Sequence, residues 1–219
     1  MTFKQDVQID PTAIVLPNVE LGPRTIVEPF CLIGLKDRFH PDLITKIGKD
    51  SFLGSRCTIY SGVIAGAKFD ISDQTTIFFD NQFGDNCRIG PKAVIKNGCR
   101  LQSNVRVNAQ VFMERVEIDS FVFIGPGTVF TDDIHPPCPR YADCTGKTLI
   151  ESHVSIGANV TVGPGIRIGH HSQVYAGSVL IRDVEPYSVM AGNPAVLVKD
   201  FRDLRCHPGY FESPYEWWE

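Results

Sequence analysis

Residues 71–101, ISDQTTIFFDNQFGDNCRIGPKAVIKNGCRL, place Ile71, Ile77, Phe83, Ile89, Ile95 and Leu101 six positions apart. The period continues in both directions. Ile9, Val15, Leu21, Val27 and Ile33 begin it; Ile47, Leu53, Ile59 and Ala65 lead into the quoted stretch, and Val107 and Met113 extend it. After a five-residue step come Ile118, Ile124 and Phe130, and Ile150, Ile156, Val162, Ile168, Val174 and Leu180 close the series. Self-similarity at a fixed period is the signature of a solenoid, in which each repeat buries its apolar face only against its neighbours.

The length of the period selects the kind of solenoid. A helical repeat requires apolar residues at i, i+3, i+4 and i+7, and an isolated half-buried strand alternates every two residues. A strict six fits a short flat strand followed by a corner, so the chain reads as all-β. The residue after the aliphatic one is often Gly, Asp or Glu, as in Gly22, Gly90, Gly125, Gly157 and Gly169. Glycine there suits a backbone that bends sharply, with positive φ, once in every hexad. The fifth position is small or β-branched at Ala13, Thr25, Cys31, Cys57, Thr75, Cys87, Ala93, Cys99, Thr128, Val160 and Ser172. One long and one small inward residue per hexad fill a narrow triangular core without voids.

These hexads resemble those of the hexapeptide-repeat acyltransferases, from about Ile9 to Lys199. The resemblance implies a left-handed parallel β-helix solenoid, with three hexads to a coil and coils stacked at strand spacing, about 4.8 Å. It also implies a homotrimer with active sites in the clefts between subunits. On this reading residues 1–199 form the β-helix domain, with residues 131–149 extruded as a loop, and residues 200–219 form a C-terminal tail.

Composition agrees with one elongated domain. The net charge of −4 gives no reason to expect a nucleic acid or a membrane surface as partner. No stretch approaches a transmembrane span, and the opening MTFKQDVQID lacks the apolar core of a signal peptide, so a cytoplasmic protein is expected. Of seven cysteines, Cys31, Cys57, Cys87 and Cys99 fall on the small inward position, where a free thiol acts as a small hydrophobe. Cys138, Cys144 and Cys206 lie outside the repeat. His135, Cys138 and Cys144 match no standard zinc spacing, and His153, His170 and His171 lack the spacing of the β-helical carbonic anhydrases, so no metal is assigned.

A β-helix wall is scaffold, and chemistry sits on what interrupts or lines it. The period breaks at residues 35–46, which hold His40, at 131–149 (TDDIHPPCPRYADCTGKTL), and beyond Asp183. Within the second break, Val129-Phe130-Thr131-Asp132-Asp133-Ile134-His135-Pro136 followed by Arg140 resembles the segment of galactoside and maltose O-acetyltransferases that places the catalytic histidine. The resemblance makes His135 the general base. Attack of a hydroxyl or amine on a thioester must shed a proton as the carbonyl carbon becomes tetrahedral, and a neutral imidazole suits that task near pH 7. Asp132 or Asp133 would fix the ring tautomer, and a backbone N–H would hold the oxyanion.

Further on, Ile156-Gly157-Ala158-Asn159, Val162-Gly163-Pro164-Gly165, Val174-Tyr175-Ala176-Gly177-Ser178-Val179-Leu180-Ile181-Arg182-Asp183-Val184 and Ala191-Gly192-Asn193-Pro194-Ala195 resemble the family's acyl-CoA-binding end. The resemblance assigns Gly157, Ala158, Ala176, Gly177, Ser178, Arg182, Pro194 and Lys199 to the co-substrate acetyl-CoA. Arg167, Arg202 and Arg205 add cations for its phosphates. Ile181 stands where members often have Thr, and Val196 where many have Arg. The aromatic tail is expected to pack on the helix or on a neighbouring subunit.

Two acceptors compete. The N-terminal coils, opening with Ile9-Asp10-Pro11-Thr12-Ala13-Ile14, and the segment Val122-Phe123-Ile124-Gly125-Pro126-Gly127-Thr128-Val129-Phe130-Thr131 resemble N-acyltransferases that act on nucleotide-activated amino sugars, which is the reading preferred. The His-Pro segment points to a sugar hydroxyl. Asn104, Asn108, Gln110 and Glu114 offer polar contacts to a sugar or nucleotide, or stand as outward wall residues. A non-catalytic β-helix scaffold is the alternative of another class, and the complete CoA-end motif argues against it.

Overall fold

The structure, a computed structural model, describes residues 6–36, 43–140, 143 and 145–215. His40, Cys144 and the tail tryptophans Trp217 and Trp218 lie outside them. Each hexad supplies one strand of two to four residues, and the strands fall in rotation onto three parallel sheets. Sheet A begins with Gln8–Ile9, sheet B with Ile14–Val15 and sheet C with Val19–Leu21; they hold eleven, nine and eight strands among the described residues. The register between neighbouring strands is one coil, as in Ile71 beside Ile89 and Ile77 beside Ile95. The chain thus winds A to B to C as a triangular parallel β-helix whose edges are the A–B, B–C and C–A corners.

Both inward positions behave as the spacing predicts. Ile33, Leu53, Ile59, Ile77, Ile95 and Ile124 are fully buried, and so are the small residues Thr25, Cys57, Thr75, Cys87, Ala93, Cys99 and Thr128. The four repeat cysteines are free, buried thiols. Several buried hydroxyls find backbone acceptors within the coil or the next one; Thr75 Oγ1 donates to the Ser72 carbonyl at 2.8 Å and to the Gly90 carbonyl at 3.0 Å.

The corners correct one expectation. Gly125 and Gly157 do not supply the positive φ; the left-handed residues sit two positions later, and many are not glycine, as at Gln74 (φ 61°), Lys92 (φ 58°), Asn159 (φ 54°) and His171 (φ 54°). Glycine is required after the aliphatic residue for closeness. A Cβ on Gly125 would lie 2.5 Å from the Gly157 carbonyl carbon, and one on Gly157 would lie 2.5 Å from the Ala176 nitrogen. The left-handed backbone costs about 1–2 kcal/mol per non-glycine residue. Many corners offset this with a hydrogen bond to the adjacent coil, such as Gln74 N–H to the Ser55 carbonyl at 2.9 Å and His171 N–H to the Ser152 carbonyl at 3.1 Å.

At the C–A corner these left-handed residues build a column of rings. Phe121 stacks on His153 (5.1 Å between centroids), His153 on His171 (4.7 Å) and His171 on Tyr187 (5.2 Å), and the Arg202 guanidinium lies 5.0 Å over Tyr187. The C-terminal segment closes over this column. Residues Ala195–Asp200 pair antiparallel with Ser188–Gly192, a short 3₁₀ helix Phe201–Asp203 follows, and Phe201 stacks on Tyr215, whose hydroxyl accepts from Gln173 Nε2 at 2.8 Å. The aromatic tail therefore packs on the helix in part, while Tyr210 stays 83% exposed.

The buried thiols make stability depend on alkali. Burial pushes the Cys87 thiol up to about 11 and the Cys99 thiol up to about 12, because the thiolate is disfavoured away from water. An unfolded chain loses these protons from about pH 8.5 and then binds fewer than the folded chain, so stability is full below that pH and falls above it. The expected slope is about 1.4 kcal/mol per thiol for each pH unit, ending where the folded thiols ionise at about 11 and about 12. Urea unfolding midpoints should fall between pH 8 and 10.5, and a Cys87→Ala/Cys99→Ala chain should show a shallower fall. Equal slopes would mean that these thiols do not set the alkaline limit.

Candidate functional site

Most of the residues assigned to acetyl-CoA gather on the A–B edge. Gly157 and Ala158 form the corner after strand Ser155–Ile156, and Ala176, Gly177 and Ser178 form the corresponding corner one coil on, after Gln173–Val174. Gly177 N–H donates to the Ala158 carbonyl at 2.8 Å, and Ser178 Oγ donates to the Tyr175 carbonyl at 2.6 Å. Pro194, after a cis peptide bond, sits in the turn between Ser188–Gly192 and Ala195–Asp200, which leaves sheet A at the same edge. Ser178 departs from the expectation: it is fully buried on the small inward position and turned into the core. Gly157, Ala158, Ala176 and Gly177 form a strip of small side chains and accessible backbone, onto which a flexible thin chain can lie closely. Arg182 and Lys199 are not brought to it. Arg182 stands exposed on the B–C edge after Val179–Leu180, and Lys199 pairs with Val189 toward the far end of the hairpin. Neither makes an ion pair among the described residues. Of the other cations, Arg167 is held by Glu151, and Arg202 by Asp200 at 2.6 Å; the guanidinium beside Asp200 holds its carboxyl down at about 2.

The His135 loop lies on the opposite edge of sheet B. It leaves after Val129–Phe130 of sheet B and returns at Thr148–Ile150 of sheet C. The break at residues 35–46 leaves from the same B–C edge, between Leu32–Leu35 and Thr45–Ile47. His135 is exposed. Asp133 acts on its backbone, with Oδ1 accepting from His135 N–H at 2.9 Å and Oδ2 from Cys138 N–H at 3.5 Å. The carboxylate thus holds the His-Pro turn in shape. Asp132 contributes its carbonyl, which accepts from Gly146 N–H at 3.0 Å and ties the two limbs of the loop together. Arg115 binds the Thr145 hydroxyl on the returning limb. The polar set Asn104, Asn108, Gln110 and Glu114 is scattered: Asn104 on the C–A edge, bonded by Asn86 at 2.8 Å, Asn108 and Gln110 on the A–B edge, and Glu114 on the B–C edge near the loop. Among the described residues no group of three or more His, Cys, Asp or Glu is arranged to hold a metal.

Between the two edges lies a feature that the hexad reading passed over. The outward residues of sheet B are Ile14, Leu32, Thr58, Thr76, Val94, Phe112, Val129, Thr161 and Val179, without a charge among them. Sheets A and C carry charges in the equivalent places, including Asp70, Arg88 and Arg106 on one and Glu20, Lys46, Arg100, Glu117 and Arg167 on the other. Depletion of charge marks the core of an association surface. The signal was available in the sequence at a period of three hexads. A concavity of about 440 Å³ over Arg100, Glu117, Leu149 and Arg167 lies on charged sheet C, away from the small-residue strip on the A–B edge.

Known proteins agree with this architecture. Residues 147–182 match the bacterial transferase hexapeptide family (six repeats), and residues 44–72 match the hexapeptide repeat of succinyl-transferase. A probable macrolide acetyltransferase of Lysinibacillus sphaericus is 32% identical over 145 residues, covering 64% of this chain and 77% of that protein. The galactoside O-acetyltransferase of Lactococcus lactis subsp. lactis is 29% identical over 133 residues, covering 56% of this chain and 64% of that protein. Among solved structures, the UDP-N-acetylglucosamine acyltransferase from Campylobacter jejuni superposes with a TM-score of 0.73 at 15% identity, over 88% of this chain and 75% of that one, a likeness of fold. With the hexad core, the parallel β-helix and a 32% identical relative spanned over 77% of its length, the chain belongs to the hexapeptide-repeat acyltransferases.

Proposed function

We propose that this protein transfers an acetyl group from acetyl-CoA to the amino group of a nucleotide-activated amino sugar, with His135 as general base, in a homotrimer assembled through sheet B. The observation that carries the reading is the placement of the two halves of the site on opposite edges of one uncharged sheet. A side of the triangle is one hexad long and spans up to about 20 Å, whereas the thioester carbonyl and the attacking atom must come within about 3–3.5 Å. A rotational copy packed on sheet B sets the A–B edge of one chain beside the B–C edge of the next, and three such contacts close a ring. The strip of Gly157, Ala158, Ala176, Gly177 and the Asn193–Pro194 turn then lines one wall of the cleft, and the His135 loop lines the other.

In the reaction the amine loses its proton to His135 as it bonds to the thioester carbon. The tetrahedral intermediate collapses with departure of the CoA thiolate, which takes the proton back from the His135 imidazolium. The N–H groups of Gly157 and Gly177 are taken by the carbonyls of Val174 and Ala158, which leaves the N–H of Ala158 or Ala176 to serve the oxyanion. Incubation with acetyl-CoA and a panel of nucleotide-linked amino sugars, read as released thiol, tests the proposal; release with none of them would sink the acceptor class. The galactoside O-acetyltransferase relative and the His-Pro segment favour the second reading, a sugar hydroxyl, and the same assay with unaminated sugars separates the two.

Among the described residues Arg182 and Lys199 meet no carboxylate at ion-pair distance, and although neither lies on the strip of its own chain, we assign them to the phosphates of CoA. Arg182→Ala and Lys199→Ala should each raise KM for acetyl-CoA by about three- to tenfold with kcat little changed, as expected for loss of uniform binding. Unchanged KM in both would place the phosphates elsewhere.

A further inference from the structure

Between the two breaks in the period, the B–C edge carries side chains that the transfer reaction leaves unused. The residue after the inward aliphatic on successive strands of sheet B is Tyr60, Phe78, Lys96 and Glu114, and then Thr131 at the root of the His135 loop. Tyr60 and Phe78 stack with centroids 4.8 Å apart and planes within 8°. The Lys96 ammonium covers the Phe78 ring at 4.4 Å from its centroid. All three side chains are half-buried, and among the described residues Lys96 meets no carboxylate at ion-pair distance. A cation resting on a ring face near solvent is weakly held and exchanges readily for an anion.

We infer that Tyr60, Phe78 and Lys96 form the subsite for the nucleoside diphosphate of the acceptor. The base stacks on the Phe78 face that Lys96 now covers, and the ammonium swings onto the diphosphate. The inference rests on the acyl-transfer reading and names how its acceptor is held. Two observations favour a nucleotide over a bare sugar. A lone cation beside a π-face asks for a ring joined to an anion, which a neutral sugar does not supply. The Lys96 level also lies two strand steps, about 10 Å, from the root of the loop, a span left for the diphosphate and sugar to bridge to His135.

The test is calorimetric titration of uridine and thymidine diphosphates in saturating CoA, so that the donor site is filled. Phe78→Ala should weaken binding by about tenfold or more, whereas Phe78→Tyr, which keeps the stacking face, should stay within about threefold. Lys96→Ala should weaken it by about tenfold and flatten its salt dependence. Acetyl-CoA affinity should be unchanged in all three, which also reports that they fold. Failure of the wild type to bind either diphosphate, or wild-type affinity retained in both Phe78→Ala and Lys96→Ala, overturns the subsite. Thiol release with an unactivated amino sugar in that case leaves the transfer reaction standing, while loss of acetyl-CoA binding by the wild type would remove the reaction itself.

Discussion

Replacing His135 by alanine should lower kcat by about 10²-fold or more while acetyl-CoA affinity stays within about twofold. The split follows from geometry. His135 lies on the B–C edge and the small-residue strip on the A–B edge, so truncating the imidazole removes nothing from the donor wall of its own chain. On the proposed reading it removes an acceptor for the proton that the nucleophile must shed. Because the ring is exposed on a loop, the change should leave the folded core untouched and the unfolding midpoint unmoved. Asp133 permits a finer test. It binds the backbone of His135 and acts as a positioning residue, so Asp133→Ala should lower kcat by a smaller factor, about tenfold, and leave the pH profile of the remaining rate in place. Asp133→Asn, which keeps an acceptor oxygen for the same N–H, should recover most of the loss. A wild-type rate in His135→Ala would mean that another group, or an amine arriving neutral, does the work.

The fold was legible because a six-residue period has one economical physical solution. Ile77, Ile95 and Ile124 are inward for the same reason that Thr75, Ala93 and Thr128 are, and the buried thiols needed no separate account. Glycine was misread because two constraints meet at each corner. The left-handed turn falls on residues such as Gln74 and His171, which a hydrogen bond to the next coil can stabilise, while contact between coils falls on Gly125 and Gly157, where no bond compensates for a clash. Sequence order cannot separate a φ requirement from a distance requirement. Local motifs picked out residues around Gly157 and Gly177 that share one edge, but not that Arg182 belongs to another, because a motif is read along the chain whereas an edge recurs only every third hexad and Arg182 follows Ala176 by one. The ring column of Phe121, His153, His171 and Tyr187 was missed for the same reason, since its members are neighbours only across coils.

A charge placed on the outward face of sheet B should abolish both assembly and activity. Val94 and Phe112 are adjacent on that face, paired through the register of their strands, and neither contributes to the triangular core. Phe112→Lys sets one ammonium per chain into a surface that has none, and in a closed ring the like charges face each other with little water to screen them. Sedimentation should show the chain falling to monomer with its far-ultraviolet spectrum intact, and turnover falling by about 10²-fold or more because each site loses a wall. Leu149→Lys, at an equally exposed position on already charged sheet C, should keep both assembly and rate. A complementation experiment decides whether the site is shared. A His135→Ala chain keeps its donor strip, and an Ala176→Trp chain, with its strip blocked, keeps its loop. Each is inactive alone, yet unfolding and refolding an equal mixture should restore about one quarter of the wild-type rate, the fraction of contacts that join an intact strip to an intact loop. A site contained within one chain would recover nothing, since no chain in the mixture holds both halves.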